Sequence, residues 1–331
     1  MARKRLFIYS AAHFAVDFSC ALLLLGRIRP GPGDALLCLL LYNFCAFALQ
    51  MPVGLLADRL DKNHAVAAVG CGACALAWLI PGLGGAVCAG VGNALFHVGG
   101  GLDTLNRSAS RCGALGIFVS PGALGIFLGG LLAGGGAARS ALAAGGVLLA
   151  GGLIFRLCRA SGNAPVSLAP SGRSAAPAAL ACLALVVVLR SYLGLAAQFP
   201  WKAGYAVPLV AALVLGKALG GLLADRFGLR RTAAVSLGTA ALLFLLADVP
   251  AAGIAGVFLF NMTMPLTLWG AAGLLPGAKG FAFGLLTFGL FLGFLPVFLG
   301  ISLPLVGKYL YALGALVSLP PLLFGLGRVK P

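Results

Sequence analysis

The chain is 331 residues long, 61% hydrophobic and only 9% charged, with a net charge of +16. An ordinary soluble domain carries about 25% charged residues, so this chain cannot clothe a water-facing surface, and disorder would need the low hydrophobicity it lacks. All seven acidic residues are Asp, and Gly, at 50 residues, is about twice as frequent as usual; a polytopic membrane protein is the class that remains.

A helix crossing the hydrocarbon core needs about 20 mostly apolar residues. The gaps between charges supply twelve candidates, near 6–25, 35–57, 65–81, 83–103, 113–134, 140–156, 178–197, 204–224, 232–247, 251–275, 281–300 and 304–326. Ten spans with two re-entrant segments are the alternative. The first candidate follows Arg3-Lys4-Arg5 and could be mistaken for a signal peptide. Its length and its His13 and Asp17 make it a retained span. The third and fourth share the uncharged stretch 65–102, divided by Pro81-Gly82. Cys71 and Cys74 form a lone CxxC in the third, with no second pair at zinc-site spacing, so the cysteines read as small packing residues. Between the sixth and seventh, residues 158–177 are rich in Ser, Pro, Gly and Ala and read as a linker between an N-terminal bundle, 1–157, and a C-terminal bundle, 178–331. The ninth candidate is short, a deficit that tilt or local thinning can absorb.

Lys and Arg set the orientation. With both ends on one face, 16 of the 23 basic residues fall on that face, which is therefore cytoplasmic. The positive charge is thus mostly a topology signal. It is scattered over short loops and presents no surface for nucleic acid.

The word GLLADR occurs twice, at Gly54–Arg59 and Gly221–Arg226, each at the end of a candidate span and 167 positions apart. A second trace has nearly the same offset: Arg111 followed by Gly116, and Lys279 followed by Gly284. Two separate positions sharing one offset argue for duplication of a six-span unit. An Asp at such a helix end can pair locally or meet the N-terminus of another helix, where the dipole favours an anion. That arrangement would act as a latch; a static ion pair that only sets topology is the plainer reading.

The loops after the second and eighth spans resemble the signature loop of the major facilitator superfamily. Gly54, Leu56, Asp58 and Arg59 match it, as do Gly221, Leu223, Asp225, Arg226, Gly228, Arg230 and Arg231. The second copy is the fuller match, because Asp61-Lys62-Asn63 stands where the pattern has Gly and two basic residues; Asp225 is expected to matter more than Asp58. The resemblance implies an all-α fold of twelve transmembrane helices in two six-helix bundles, with a binding site between halves. AAHFAVDF in the first span and GNALFHVGG in the fourth are similar to the fosmidomycin-resistance-like branch, whose members carry H-x-x-x-D and F-H-P. His13, Asp17, Phe96 and His97 match, and Val98 replaces the Pro. Gly116 to Gly125, around Ser120-Pro121-Gly122, approximates the antiporter pattern of the superfamily, although ordinary helix packing would explain the same residues.

Ionisable groups inside spans are costly and usually functional. Here they are His13, Asp17, His97, Arg190 and Lys217, with Asp103 at a span end one turn from Arg107. His13 and Asp17 share a helix face, as do Asn93 and His97. With Asn43 and Asn261 they are the expected lining of a substrate and proton cavity, although groups that merely satisfy one another would show the same pattern. Histidine titrates near physiological pH, and a buried carboxylate without a fixed cation favours its protonated form, so this set can carry protons. Arg190 and Lys217 would favour an anionic substrate or balance Asp17. Asn261 to Thr267, around Pro265, is either a broken-helix site or a kink.

The expectation is a monomeric secondary transporter in the inner (plasma) membrane, working by alternating access, with both termini cytoplasmic. Its expected cargo is a small organic, anionic or drug-like molecule, exported at the expense of the proton gradient with no cofactor. Uptake by the same fold and a non-transporting scaffold or enzyme are the alternatives. Against an enzyme stands the lack of a paired-carboxylate, metal or nucleophile–base motif in the sequence.

Overall fold

A computed structural model describes residues 2–28, 32–108, 111–134, 136–159, 162–170, 175–301, 303–305 and 307–329. Arg29, Arg173 and Lys330 of the orientation argument lie outside the described residues. Every regular element among them is helical. In chain order the helices are α1 Arg3–Arg27, α2 Asp34–Leu60, α3 Asn63–Leu79, α4 Gly82–Arg107, α5 Cys112–Leu131 and α6 Ala137–Leu157, then α7 Ala176–Ala196, α8 Lys202–Phe227, α9 Leu229–Leu245, α10 Pro250–Leu274, α11 Lys279–Phe298 and α12 Gly307–Leu326.

Ten of these are long and apolar enough to cross a membrane, which makes the chain a multi-pass membrane protein. The other two, α3 and α9, lie where the third and ninth spans were expected but are shorter than the ten. The 17 residues of α9 rise only about 25 Å at 1.5 Å each, against a core of about 30 Å.

The chain divides into two compact units. The first holds residues 1–107, 121–166 and 277–284; the second holds 108–120, 167–276 and 285–331. One division, between Val166 and Ser167, lies within residues 158–177. The start of α5 belongs with the second unit and the start of α11 with the first. Within the first unit α3 packs on α4 and α6, α1 on α6, and α2 on α4. Within the second, α9 packs on α10 and α12, α7 on α12, and α8 on α10. Each pairing recurs six helices later, so the duplication extends from the two loops to the packing of whole helices.

Glycine sets the closest approaches. A Cβ at Gly125 would meet the backbone oxygen of Phe14 at 2.5 Å, and one at Gly129 that of Phe18 at 2.5 Å. The half of α5 after Pro121 thus lies directly against the backbone of α1, the use of small residues expected where helices meet in a membrane. The nine cysteines are all free. Cys71 and Cys74 are buried among close helix contacts with Gly151 and Gly92, consistent with a packing role.

Candidate functional site

Three places gather the polar residues of this apolar chain. The first lies between α1 and α4, in the first unit. One helical turn separates His13 from Asp17, and their side chains meet: His13 Nε2 is 3.2 Å from Asp17 Oδ2. His97 joins from α4, with Nε2 2.9 Å from His13 Nε2 and 3.8 Å from Asp17 Oδ1. Asn93, one turn before His97, donates from Nδ2 to Asp17 Oδ1 at 3.0 Å. Both helical pairs expected from the sequence therefore converge on one point.

Hydrogen positions follow from the partners. His97 Nδ1 lies 2.9 Å from the carbonyl oxygen of Asn93. A carbonyl only accepts, so Nδ1 carries the hydrogen and a neutral His97 turns a bare Nε2 toward His13. Two lone pairs would repel at 2.9 Å, so a proton on His13 Nε2 lies between His97 Nε2 and Asp17 Oδ2. Gly122 completes the wall: a Cβ there would run into Asp17 Oδ2 and His13 Nε2. This is the contribution of the Ser120-Pro121-Gly122 segment, beyond bringing α5 onto α1.

Asn43 does not join this cluster. Its Nδ2 bonds back to Leu39 O within α2 at 2.8 Å. The neighbouring Tyr42 joins instead, its hydroxyl 3.3 Å from Asn93 Nδ2. No sequence signal distinguished the two, because adjacent positions on a helix point about 100° apart and the rotation of α2 is set by packing.

The second place is in the second unit. Arg190 of α7 is 91% buried. Among the described residues it donates one hydrogen bond from a terminal guanidinium nitrogen to Thr263 Oγ1, at 3.4 Å, and no carboxylate pairs with it. It lines a cavity of about 160 Å³ together with Lys202, Phe199, Phe260, Asn261 and Tyr311. Asn261 donates to Val257 O at 2.8 Å. Just beyond it the helix tightens, with Met262 N bonded to Leu259 O at 3.2 Å and the Thr263 hydroxyl to Phe260 O at 2.8 Å. The helix is thus locally distorted at Asn261–Thr263, beside the buried cation, and Thr263–Leu274 continues as regular helix past Pro265. Lys217, expected here, does not line this cavity; its backbone carbonyl lies against Gly116, 2.7 Å from where a Cβ would stand. Lys202 is the second cation instead.

The third place is the pair of GLLADR segments. Asp58 accepts from the backbone N–H groups of Gly280, at 2.8 Å, and Phe281, at 2.9 Å, in the first turn of α11. Asp225 accepts from those of Cys112, at 2.6 Å, and Gly113, at 2.9 Å, in the first turn of α5. Each carboxylate caps a helix N-terminus, where free N–H groups and the dipole both favour an anion. The approach is close enough to require glycine: a Cβ on Gly54 would strike the backbone of Gly280, and one on Gly221 would come within 2.7 Å of Cys112 O. The two repeat traces found separately in the sequence are therefore partners, each GLLADR packing on the opposite copy of the other trace. Among the described residues Arg59, Arg226, Arg230 and Arg231 form no ion pair.

The irregularity of the first copy has its own use. Asp61 takes a left-handed conformation with φ 48°, where Gly228 with φ 88° stands in the second copy. Asp tolerates that region better than most residues. Its Oδ1 accepts the N–H groups of Gly162, at 2.9 Å, and Asn163, at 2.8 Å. Asn163 Nδ2 then donates to Ala57 O at 2.9 Å, and its Oδ1 accepts from Asn63 at 2.8 Å and Asn106 at 2.7 Å. Lys279 Nζ closes the network on Asn106 Oδ1 at 3.1 Å. Asn163 and Asn106 are members of this network that sequence reasoning missed. Asp103 and Arg107 form the ion pair expected of them, at 3.0 Å.

No protein-family model matches the sequence, and no curated protein is similar to it at the level of sequence. Solved structures do resemble it. The major facilitator superfamily transporter FucP in its outward conformation matches with a TM-score of 0.68 and 13% identity, over 98% of this chain and 99% of that one. The human organic anion transporter MFSD10 matches with a TM-score of 0.73 and 14% identity, over 98% and 99%. A bacterial homologue of the iron transporter ferroportin, outward-facing, matches with a TM-score of 0.64 and 16% identity, over 99% and 98%. At such identities the likeness is one of fold: this chain has the fold of the major facilitator transporters.

Proposed function

We propose that the chain is a major facilitator transporter that moves a small organic anion by alternating access, outward and against its gradient, in exchange for protons. The observation that carries this reading is the His13–Asp17–His97 cluster, held within membrane-type helices where ionisable groups are rarely kept without a task. Among the described residues the ion-pairing partners of Asp17 are the two histidines. Tyr42 faces the cluster from α2 through Asn93, and α5 faces it with Gly122. The proton at its centre is the group that could be gained from one side and lost to the other. One unit of pH difference supplies about 1.4 kcal/mol per proton.

The anionic cargo rests on Arg190. A buried guanidinium without a carboxylate is costly to keep unless something negative visits it. The phenyl rings beside it suit a cargo with an apolar body. Fold neighbours described as an organic anion transporter and a fucose:proton symporter are compatible with this chemistry. We read the protein as twelve-spanning, with α3 and α9 accommodated by tilt or thinning, monomeric, and in the plasma membrane. The fosmidomycin-resistance-like motifs in α1 and α4 favour export.

The test is transport by the purified protein in proteoliposomes with an imposed pH gradient, screened over organic anions. Asp17→Asn keeps shape and hydrogen bonding but cannot titrate. It should abolish accumulation driven by the pH gradient while leaving substrate exchange at equal pH. Accumulation by the variant equal to wild type would remove Asp17 as the coupling group. Movement with the proton gradient rather than against it would make the protein an importer, and no movement of any anion would leave a scaffold.

A further inference from the structure

We propose that His13, Asp17 and His97 form a binding site for a divalent first-row transition-metal cation of the zinc and ferrous-iron class. The inference shares its residues with the transport reading, but it concerns equilibrium binding and stands or falls without any transport.

The donor set is the first ground. Two imidazole nitrogens and one carboxylate oxygen converge within 4.8 Å of one another. Such a set suits zinc, iron, cobalt or nickel, whereas magnesium and calcium prefer shells of oxygen. Three protein ligands leave a fourth position for water or a group of the cargo.

The spacing is the second ground. Bonds of about 2.0–2.1 Å to a tetrahedral ion put neighbouring donors about 3.3 Å apart. The observed separations, 2.9 Å, 3.2 Å and 3.8 Å, lie on both sides of that edge. A metal ion would take the place of the proton that now lies between the two imidazoles, and side-chain shifts of a few tenths of an ångström would regularise the shell.

The supporting groups are the third. A ligating histidine ordinarily gives its other nitrogen to a carbonyl or carboxylate, which fixes the ring and its tautomer. His97 does so through Nδ1 to Asn93 O. The side chain of the same Asn93 holds Asp17 Oδ1 at 3.0 Å. One residue thus orients two of the three ligands. Gly122 lets Asp17 Oδ2 and His13 Nε2 pack against the backbone of α5, where any Cβ would collide with both.

The full chain, purified in detergent with a tag free of histidine, is titrated with Co²⁺ and followed by its visible d–d absorption. Wild type should bind one Co²⁺ with the intense band of a tetrahedral site, displaced by Zn²⁺ and not by excess Mg²⁺. His13→Gln, Asp17→Asn and His97→Gln should each weaken binding at least ten-fold, and Asn93→Ala about ten-fold. Thermal melts without metal identify any variant that fails to fold. For such a variant the readout is Asn93→Ala together with Cys20→Ala/Cys74→Ala, whose thiols are 3.8 Å apart and offer soft donors that are not part of the proposed shell. The cysteine variant should bind as wild type does. Absence of Co²⁺ and Zn²⁺ binding by wild type would overturn the proposal. So would binding that survives the histidine and aspartate changes, or a thiolate charge-transfer band lost with the cysteines. Absence of pH-driven transport by a wild-type protein that binds the metal would count against the transport reading alone.

Discussion

At the scale of single residues, chemistry turned on which atoms found partners. Asp58 and Asp225 each accept two backbone N–H groups at a helix start, within 2.6–2.9 Å. The fuller motif around Asp225 suggested that it would matter more, yet the two geometries are equivalent and give no ground for that ranking. Hydrogen bonds to a charged acceptor contribute about 1.5–3 kcal/mol. Asp58→Asn keeps one oxygen but brings an NH₂ toward a donor, as does Asp225→Asn. The two should therefore lower thermal stability in detergent by similar amounts, and change the transport rate by similar factors in proteoliposomes. A loss confined to one of them would mean that only one cap is used in the cycle.

Elements are tied together by short polar bridges as much as by apolar faces. The segment 162–170 has no regular structure, yet Gly162 and Asn163 dock on the turn between α2 and α3. Asn163 is the hub, joining α2, α3 and α4 through Ala57, Asn63 and Asn106. Asn163→Ala removes the side-chain half of these bonds and leaves the backbone contact to Asp61. At about 1 kcal/mol per hydrogen bond, it should release the segment. Hydrogen exchange at residues 162–166 and proteolysis there should both rise, with helix protection unchanged. Unaltered exchange in that segment would show that the Asp61 contact holds it unaided. A sequence reader sees a Ser/Pro/Gly linker at 158–177 and no reason to choose Asn163 within it. The choice depends on three other segments meeting at that point.

For the molecule as a whole, orientation is the property most directly open to test. The excess of Lys and Arg predicts that Lys62 and Arg230 face the cytoplasm and Lys202 the other side. Lys62→Cys and Arg230→Cys, each in a background without the nine native cysteines, should resist a membrane-impermeant thiol reagent on intact cells, while Lys202→Cys should react. Labelling of residue 230 from outside would invert the topology.

Membrane character, the helical candidates and the sixfold period were legible without coordinates. Hydropathy is a sum over neighbours along the chain, and a duplication leaves its offset in the order of residues. The candidate polar faces were legible too, since i, i+4 spacing places His13 with Asp17 and Asn93 with His97 on any helix. What the tertiary structure decided was convergence. It turned Tyr42 rather than Asn43 toward the cluster, brought Lys202 rather than Lys217 to Arg190, and set each GLLADR against the opposite copy of the other repeat trace. Those outcomes depend on how each helix is rotated about its axis. That rotation is set where glycines such as Gly54, Gly122 and Gly221 admit a neighbouring segment to contact, and a contact between distant segments has no counterpart in local sequence order.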